Sequence, residues 1–103
     1  MNAILAAMVV ASSMVYEAQV PTFGCTSIED VLDLQRVRSD DNALQMALIE
    51  KKSYGECTDI PEGTVVDGSL EPTNSSMLLV TIEKTPPPFE APLGDFKLKP
   101  SGK

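Results

Sequence analysis

The residues with chemical reach in this chain are two cysteines, Cys25 and Cys57, and several closely spaced carboxylates. Glu29, Asp30 and Asp33 fall within a turn or so of one another, and Asp40 and Asp41 are adjacent. Carboxylate pairs can cleave glycosidic bonds or hold calcium. The spacing here supports neither use. The pairs fall on solvated helix faces and first turns, and no D-x-[DN]-x-[DN]-G loop is present. The chain has no histidine. That removes the Ser-His-Asp triad, the Cys-His dyad and His-ligated metal in one step. The expectation is therefore no catalytic residue, no metal and no cofactor.

The cysteines depend on where the chain goes. Ala3 to Val15 reads AILAAMVVASSMV, without an ionisable side chain. As a helix it would span about 20 Å, short of the ~30 Å bilayer core, so no stable membrane span is expected. Its length suits the apolar region of a secretory leader. A leader over residues 1–18 is expected, although no Lys or Arg follows Met1 and cuts after Ala11, Ser13 or Ala18 all remain open. An upstream start codon carrying the missing basic residue is an alternative. In an exported domain an even cysteine count reads as a disulfide, Cys25–Cys57. Closing a loop of roughly 30 residues would stabilise the fold by roughly 3–4 kcal/mol in the chain-entropy model. Lipidation of Cys25 after Gly24 is a rival, but Thr22 and Phe23 are poor lipobox residues. A redox thiol is another, but no Cys-x-x-Cys is present.

With 103 residues the chain makes one small domain, expected over 19–99 with a disordered tail at 100–103. Fifteen acidic and eight basic residues leave a formal net charge of −7. Phosphate binding needs a basic stripe, so nucleic acid is not the expected partner.

The elements that position these residues can be read from caps and periodicity. Val20 to Gly24 reads as a lead-in. Thr26-x-x-Glu29 matches a capping box, and Ile28, Val31, Leu32 and Gln35 form one helical stripe. Ser39 caps a second helix, with Asp40 and Asp41 in its first turn and a stripe of Ala43, Leu44, Ala47 and Leu48. Lys51 and Lys52 suit its C-terminal end, and Gly55 the left-handed residue after it. Cys25 and Cys57 then flank a helical hairpin, which a bridge would staple if the helices run antiparallel. After Cys57 the signals are those of strands. Ile60-Pro61-Glu62-Gly63 reads as a type I turn, Thr64-Val65-Val66 as a short strand ended by Asp67-Gly68, and Glu71–Ser76 as a loop. Met77 to Glu83 is the best strand. Pro86, Pro87 and Pro88 should stop the sheet, and Phe96 to Lys99 could add a last short strand. The fold class is α+β: a helical hairpin packed on a small antiparallel sheet.

The block Gly55-x-Cys57-x-x-Ile60-x-x-Gly63-x-x-Val66 resembles small exported bacterial proteins in which a cysteine-stapled helical segment precedes an SH3-like β-barrel. The resemblance covers roughly residues 25–83. It implies an SH3-like barrel and structural roles for the cysteines and turn glycines. Such barrels often carry an arginine and a tryptophan in their last strands, whereas Val80-Thr81-Ile82-Glu83 runs into prolines here. No aromatic ligand groove is implied.

The function expected is a non-catalytic binding or structural module, periplasmic or secreted, with a protein or cell-envelope partner. The alternative is a secreted enzyme inhibitor that presents the 84–93 loop, with Pro86, Pro87, Pro88 and Phe89 as its binding residues. Polyproline backbone is preformed and loses little entropy on binding. The plainer reading of that segment is a stiff connector with Phe89 packed on the sheet. Asn74-Ser75-Ser76 also matches a glycosylation sequon in a loop.

Overall fold

Neighbouring side chains of a strand leave the backbone on opposite sides. In the run Met77–Ile82 both sides are buried, with Met77, Leu78 and Val80 at most 1% exposed. That strand therefore needs a core on each face. The computed structural model describes the backbone of residues 14–82 and 85–100 and the side chains of 14–82 and 88–100. In chain order the elements are β1 (Met14–Ala18), β2 (Thr22–Cys25), α1 (Ile28–Arg36), α2 (Asp41–Ser53), β3 (Cys57–Ile60), β4 (Val65–Leu70), β5 (Met77–Ile82), β6 (Thr85–Pro92) and β7 (Phe96–Leu98). A short 3-10 turn, Leu93–Asp95, precedes β7.

The strands form one open antiparallel sheet of seven, in the order β3-β2-β6-β5-β4-β1-β7. The fold is α+β. The sheet is curled, so residues from distant strands share its inner core: Ile60 of β3, Leu78, Val80, Ala91, and Ala18 and Phe96 of β1 and β7. Backbone bonds carry the β1–β4 ladder on into the turn after β3, with Gly63 N donating to Ala18 O and Ala18 N to Thr64 O. On the other face α1 and α2 cover Phe23, Cys25, Cys57 and Met77 with Val31, Leu34 and Leu48. Lys51, late in α2, reaches Asp30 in the first turn of α1 at 2.9 Å, so the helices run back past each other. Among the described residues no helix is long and apolar enough to cross a membrane.

Cys25 and Cys57 face each other directly across β2 and β3, and their sulfurs are bonded. The bridge therefore staples two strands as well as the ends of the hairpin. Gly55 holds φ +74° after α2, as the C-terminal signal requires.

Several expectations are corrected. The last five residues of the expected 1–18 leader lie in the sheet: Met14–Ala18 is β1, paired with β4 on one side and β7 on the other. The leader expected before it lies outside the described residues, except for these five. Val20–Gly24 is no mere lead-in, because β2 occupies Thr22–Cys25 and every residue of it is buried. The first helix is capped by Ser27, whose Oγ accepts from Asp30 N at 3.2 Å. Thr26 instead stays with the sheet, its N–H donating to Glu56 O and extending the β2–β3 ladder. The second cap is Asp40, one residue after Ser39, which lies inside the turn closed by Asp40 N donating to Val37 O. Leu34, not Leu32 or Gln35, joins Val31 under α1.

The turn after β3 also falls one residue late. Thr64 N donates to Pro61 O, and Gly63 takes φ +88° at the third position. Asp67-Gly68 does not turn; β4 runs through it. A Cβ on Gly68 would lie 3.0 Å from Tyr16 Cδ1, so this glycine allows the inner face to close. The prolines do not end the sheet either. Phe89 pairs with Val80 and Thr85 with Ile82, so Pro86–Pro88 fall within a register irregularity, where ladder donors are not needed. The expected 84–93 loop is therefore mostly strand β6. The tail beyond Pro100 lies outside the described residues.

Candidate functional site

Of the carboxylates singled out first, Asp30 and Asp33 are held in ion pairs. Asp30 accepts from Lys51, and Asp33 lies against Arg36 at 2.7 Å and Lys51 at 3.6 Å. The Arg36 guanidinium, hydrogen-bonded to Asp33, holds that carboxyl below its ordinary range, and Asp30 pushes the Lys51 ammonium upward. Asp40 accepts from Ala43 N as a cap. Glu29 and Asp41 are exposed. Among the described residues no group of three or more Cys, Asp or Glu side chains is placed to hold a metal ion.

A different pair comes together on the outer face of the sheet. Alternation along β4 turns Val66 and Gly68 inward and Asp67 and Ser69 outward. The register sets Asp67 beside Thr81, and Ser69 beside Leu79, which lies beside Glu90 and then Cys25. The helices cover the Cys25 end. They leave an open groove of about 330 Å³ lined by Asp67, Gly68, Ser69, Leu79, Thr81 and Pro88. Pro88 is exposed on its rim, whereas Phe89, the next residue, turns inward and packs on the inner core. Of the four expected binding residues, then, Pro88 lines a surface groove, Phe89 is structural, and for Pro86 and Pro87 the backbone alone is described.

Next to this groove Glu90 meets Glu71, which follows β4. Glu90 is 9% exposed, and its Oε1 has no hydrogen-bond partner among the described residues. Burial, then the hydrogen bond and charge of Glu71, push its carboxyl up to about 7. Glu71 moves the other way. Its Oε1 accepts from Thr73 N and Thr73 Oγ1, both at 2.8 Å, which favours the carboxylate. The arrangement can hold one proton between two carboxyls, with Glu90 neutral and Glu71 charged.

Sequence reasoning missed this pair because its members lie 19 positions apart and only strand pairing joins them. The available signal was a lone charge in an apolar, proline-rich stretch, Pro88-Phe89-Glu90-Ala91-Pro92. The sequon residue Asn74 lies in the expected loop, where its Oδ1 accepts from Ser76 N and Oγ. Comparisons with protein-family models, with curated proteins and with solved structures return no match for this chain.

Proposed function

We propose that this chain is a small non-catalytic binding module, periplasmic or secreted, that takes an extended segment of a protein or cell-envelope partner along the outer face of β4, β5 and β6. The observation that carries the reading is the groove between Asp67 and Pro88, floored by half-buried Leu79 and left open by the helices. Extended segments suit such a face, since a rigid sheet floor loses no entropy on binding. Charge complementarity points to a basic segment. The chain carries −7 overall, Asp67 lines the groove, and Glu71 stands beside it. The disulfide is compatible with an oxidising compartment. The SH3-like form belongs to this proposal and is supported by the curl that brings Ile60, Ala18 and Phe96 into one core.

Titration of the isotopically labelled chain with short lysine-rich and glutamate-rich peptides tests the reading. Basic peptides should shift the amide signals of Ser69, Leu79 and Thr81, and Asp67→Lys should weaken that response about tenfold. No response, or one confined to another face, would overturn it.

The inhibitor reading keeps one supporting observation, the exposed Pro88 on backbone that β5 holds in place. Phe89–Pro92 is committed to the sheet, so the presented part narrows to Pro86–Pro88. Deleting those three residues should then abolish inhibition of the target enzyme while the fold persists. Equal inhibition by the deletion variant would remove the idea.

A further inference from the structure

The unpartnered oxygen of Glu90 calls for a physical account, because a buried carboxylate without a cation is among the costliest arrangements in a protein interior. Most cations near the helices are already engaged: Arg36 with Asp33, Arg38 with Asp95, Lys51 with Asp30, and Lys52 with Asp59. The elements packed on β6 bring little charge to Glu90. β5 and β2 carry no ionisable side chain other than the bonded Cys25. From α1 come Glu29, which is exposed, and Asp30, Asp33 and Arg36, of which the last three are paired elsewhere. From the β4 side come Asp67, exposed in the groove, and Glu71. Glu71 is the group that acts on Glu90 by both hydrogen bond and charge.

We propose that Glu71 and Glu90 form a proton latch: one proton shared between them fastens the 71–76 loop to β6, and its loss releases that loop beside the groove. The two partners are unequally held, which decides which one moves. Glu90 lies within the sheet, paired through Leu79 on one side and Cys25 on the other. Glu71 sits where the β4–β5 ladder ends, its N–H donating to Met77 O at 3.2 Å and its carbonyl accepting from Asn74 N at 3.3 Å, with no strand beyond it. When both carboxyls carry charge, repulsion is relieved by Glu71 swinging into water. Glu71 then gives up Thr73 N and Oγ1, the contacts that shape the turn after β4. Ser76 stays anchored, because Leu93 N donates to its carbonyl at 3.0 Å. The release is therefore local to the Glu71 end of the loop.

The latch extends the groove reading to its regulation and rests on that reading only for its consequence. Its test needs no partner. Amide and carboxyl resonances of the full chain are followed between about pH 5 and pH 9. The Thr73 amide and the Glu90 side-chain carboxyl should shift together, with a one-proton midpoint near 7. Glu90→Gln, whose amide donates permanently to Glu71, should leave the Thr73 signal flat in the latched position. Glu71→Gln should lower the Glu90 midpoint by about one pH unit or more, since the like charge is gone and an amide can donate to Glu90. A Thr73 signal indifferent to pH in the wild type, or a transition that survives in Glu90→Gln, overturns the latch. Should Glu90→Gln fail to fold, the wild-type carboxyl signal decides: a midpoint in the ordinary carboxylate range also overturns it. None of these outcomes bears on peptide binding at Ser69, Leu79 and Thr81, so the two readings fail separately.

Discussion

At the residue scale, two side-chain positions show how register decides what sequence spacing cannot. Glu90 is the only charged residue between Pro86 and Gly94, and alternation along β6 puts it on the outer face beside Leu79. The fold favours its neutral form. Its carboxyl titrates near 7 in the folded chain, against 4.5 for an unperturbed glutamate. As pH rises the unfolded chain therefore releases this proton first. The stability that the group contributes is complete below about pH 4.5 and is lost as pH climbs through about 7. Urea unfolding should show the wild type losing about 2 kcal/mol between pH 5 and pH 8 relative to Glu90→Gln. Equal losses in the two proteins would refute the assignment. Gly68 is the second case. Its place in β4 presses the backbone against Tyr16 and Leu78, where an added Cβ would sit 3.0 and 3.1 Å from side-chain carbons. Gly68→Ala should cost about 1–3 kcal/mol by overpacking, read as a lower midpoint in thermal melts. Gly94→Ala, with nothing within 4 Å of the new carbon, should be close to neutral.

At the element scale the helices were the most readable part. Acidic first turns, basic last turns and the glycine after α2 are local devices that act through backbone groups a few residues away. Both helices, and the stripe of Leu44, Ala47 and Leu48, stand where the spacing put them. Each cap stands one residue later than the spacing suggested: Thr26 N–H still belongs to the β2–β3 ladder, and Ser39 lies inside the turn closed by Asp40 N and Val37 O. The two assignments can be separated. Ser27→Ala and Asp40→Ala should each cost about 1 kcal/mol, whereas Thr26→Ala and Ser39→Ala should change stability by a few tenths. The reverse ranking in denaturant melts would return the caps to their first positions. The strands were harder. Asp67-Gly68 has the composition of a tight turn, and Pro86–Pro88 that of a sheet breaker. Each is absorbed by its partner strands, one through a close approach of Tyr16 and the other through a register irregularity opposite Val80 and Ile82.

At the scale of the whole molecule, the N-terminal strand β1 joins β7 to the rest of the open sheet. Tyr16 and Ala18 contribute to the inner core, and β1 pairs on both edges. A chain beginning at Gln19 should lose most of its cooperative unfolding transition, because β4 and β7 would both be left with bare edges and the core without Ala18. A chain beginning at Met14, which keeps β1, is the comparison. Circular dichroism melts of the two truncations check this, and equal midpoints would show β1 to be dispensable. The Cys25–Cys57 bond joins the strand that leads into the helices to the strand that leaves them, and it lies within the core that the helices cover.

Cysteine parity, acidity, the absence of histidine, the two helices and the strand from Met77 could all be read from the sequence, because each depends on composition or on residues a few positions apart. The inward and outward faces of β4 and β6, the place of Met14–Ala18, and the meeting of Glu71 with Glu90 were decided by tertiary structure. Side-chain direction in a strand flips with every residue, so one unit of register selects which carboxylate is buried. No local pattern carries that choice; the pairing of Leu79 with Glu90 does.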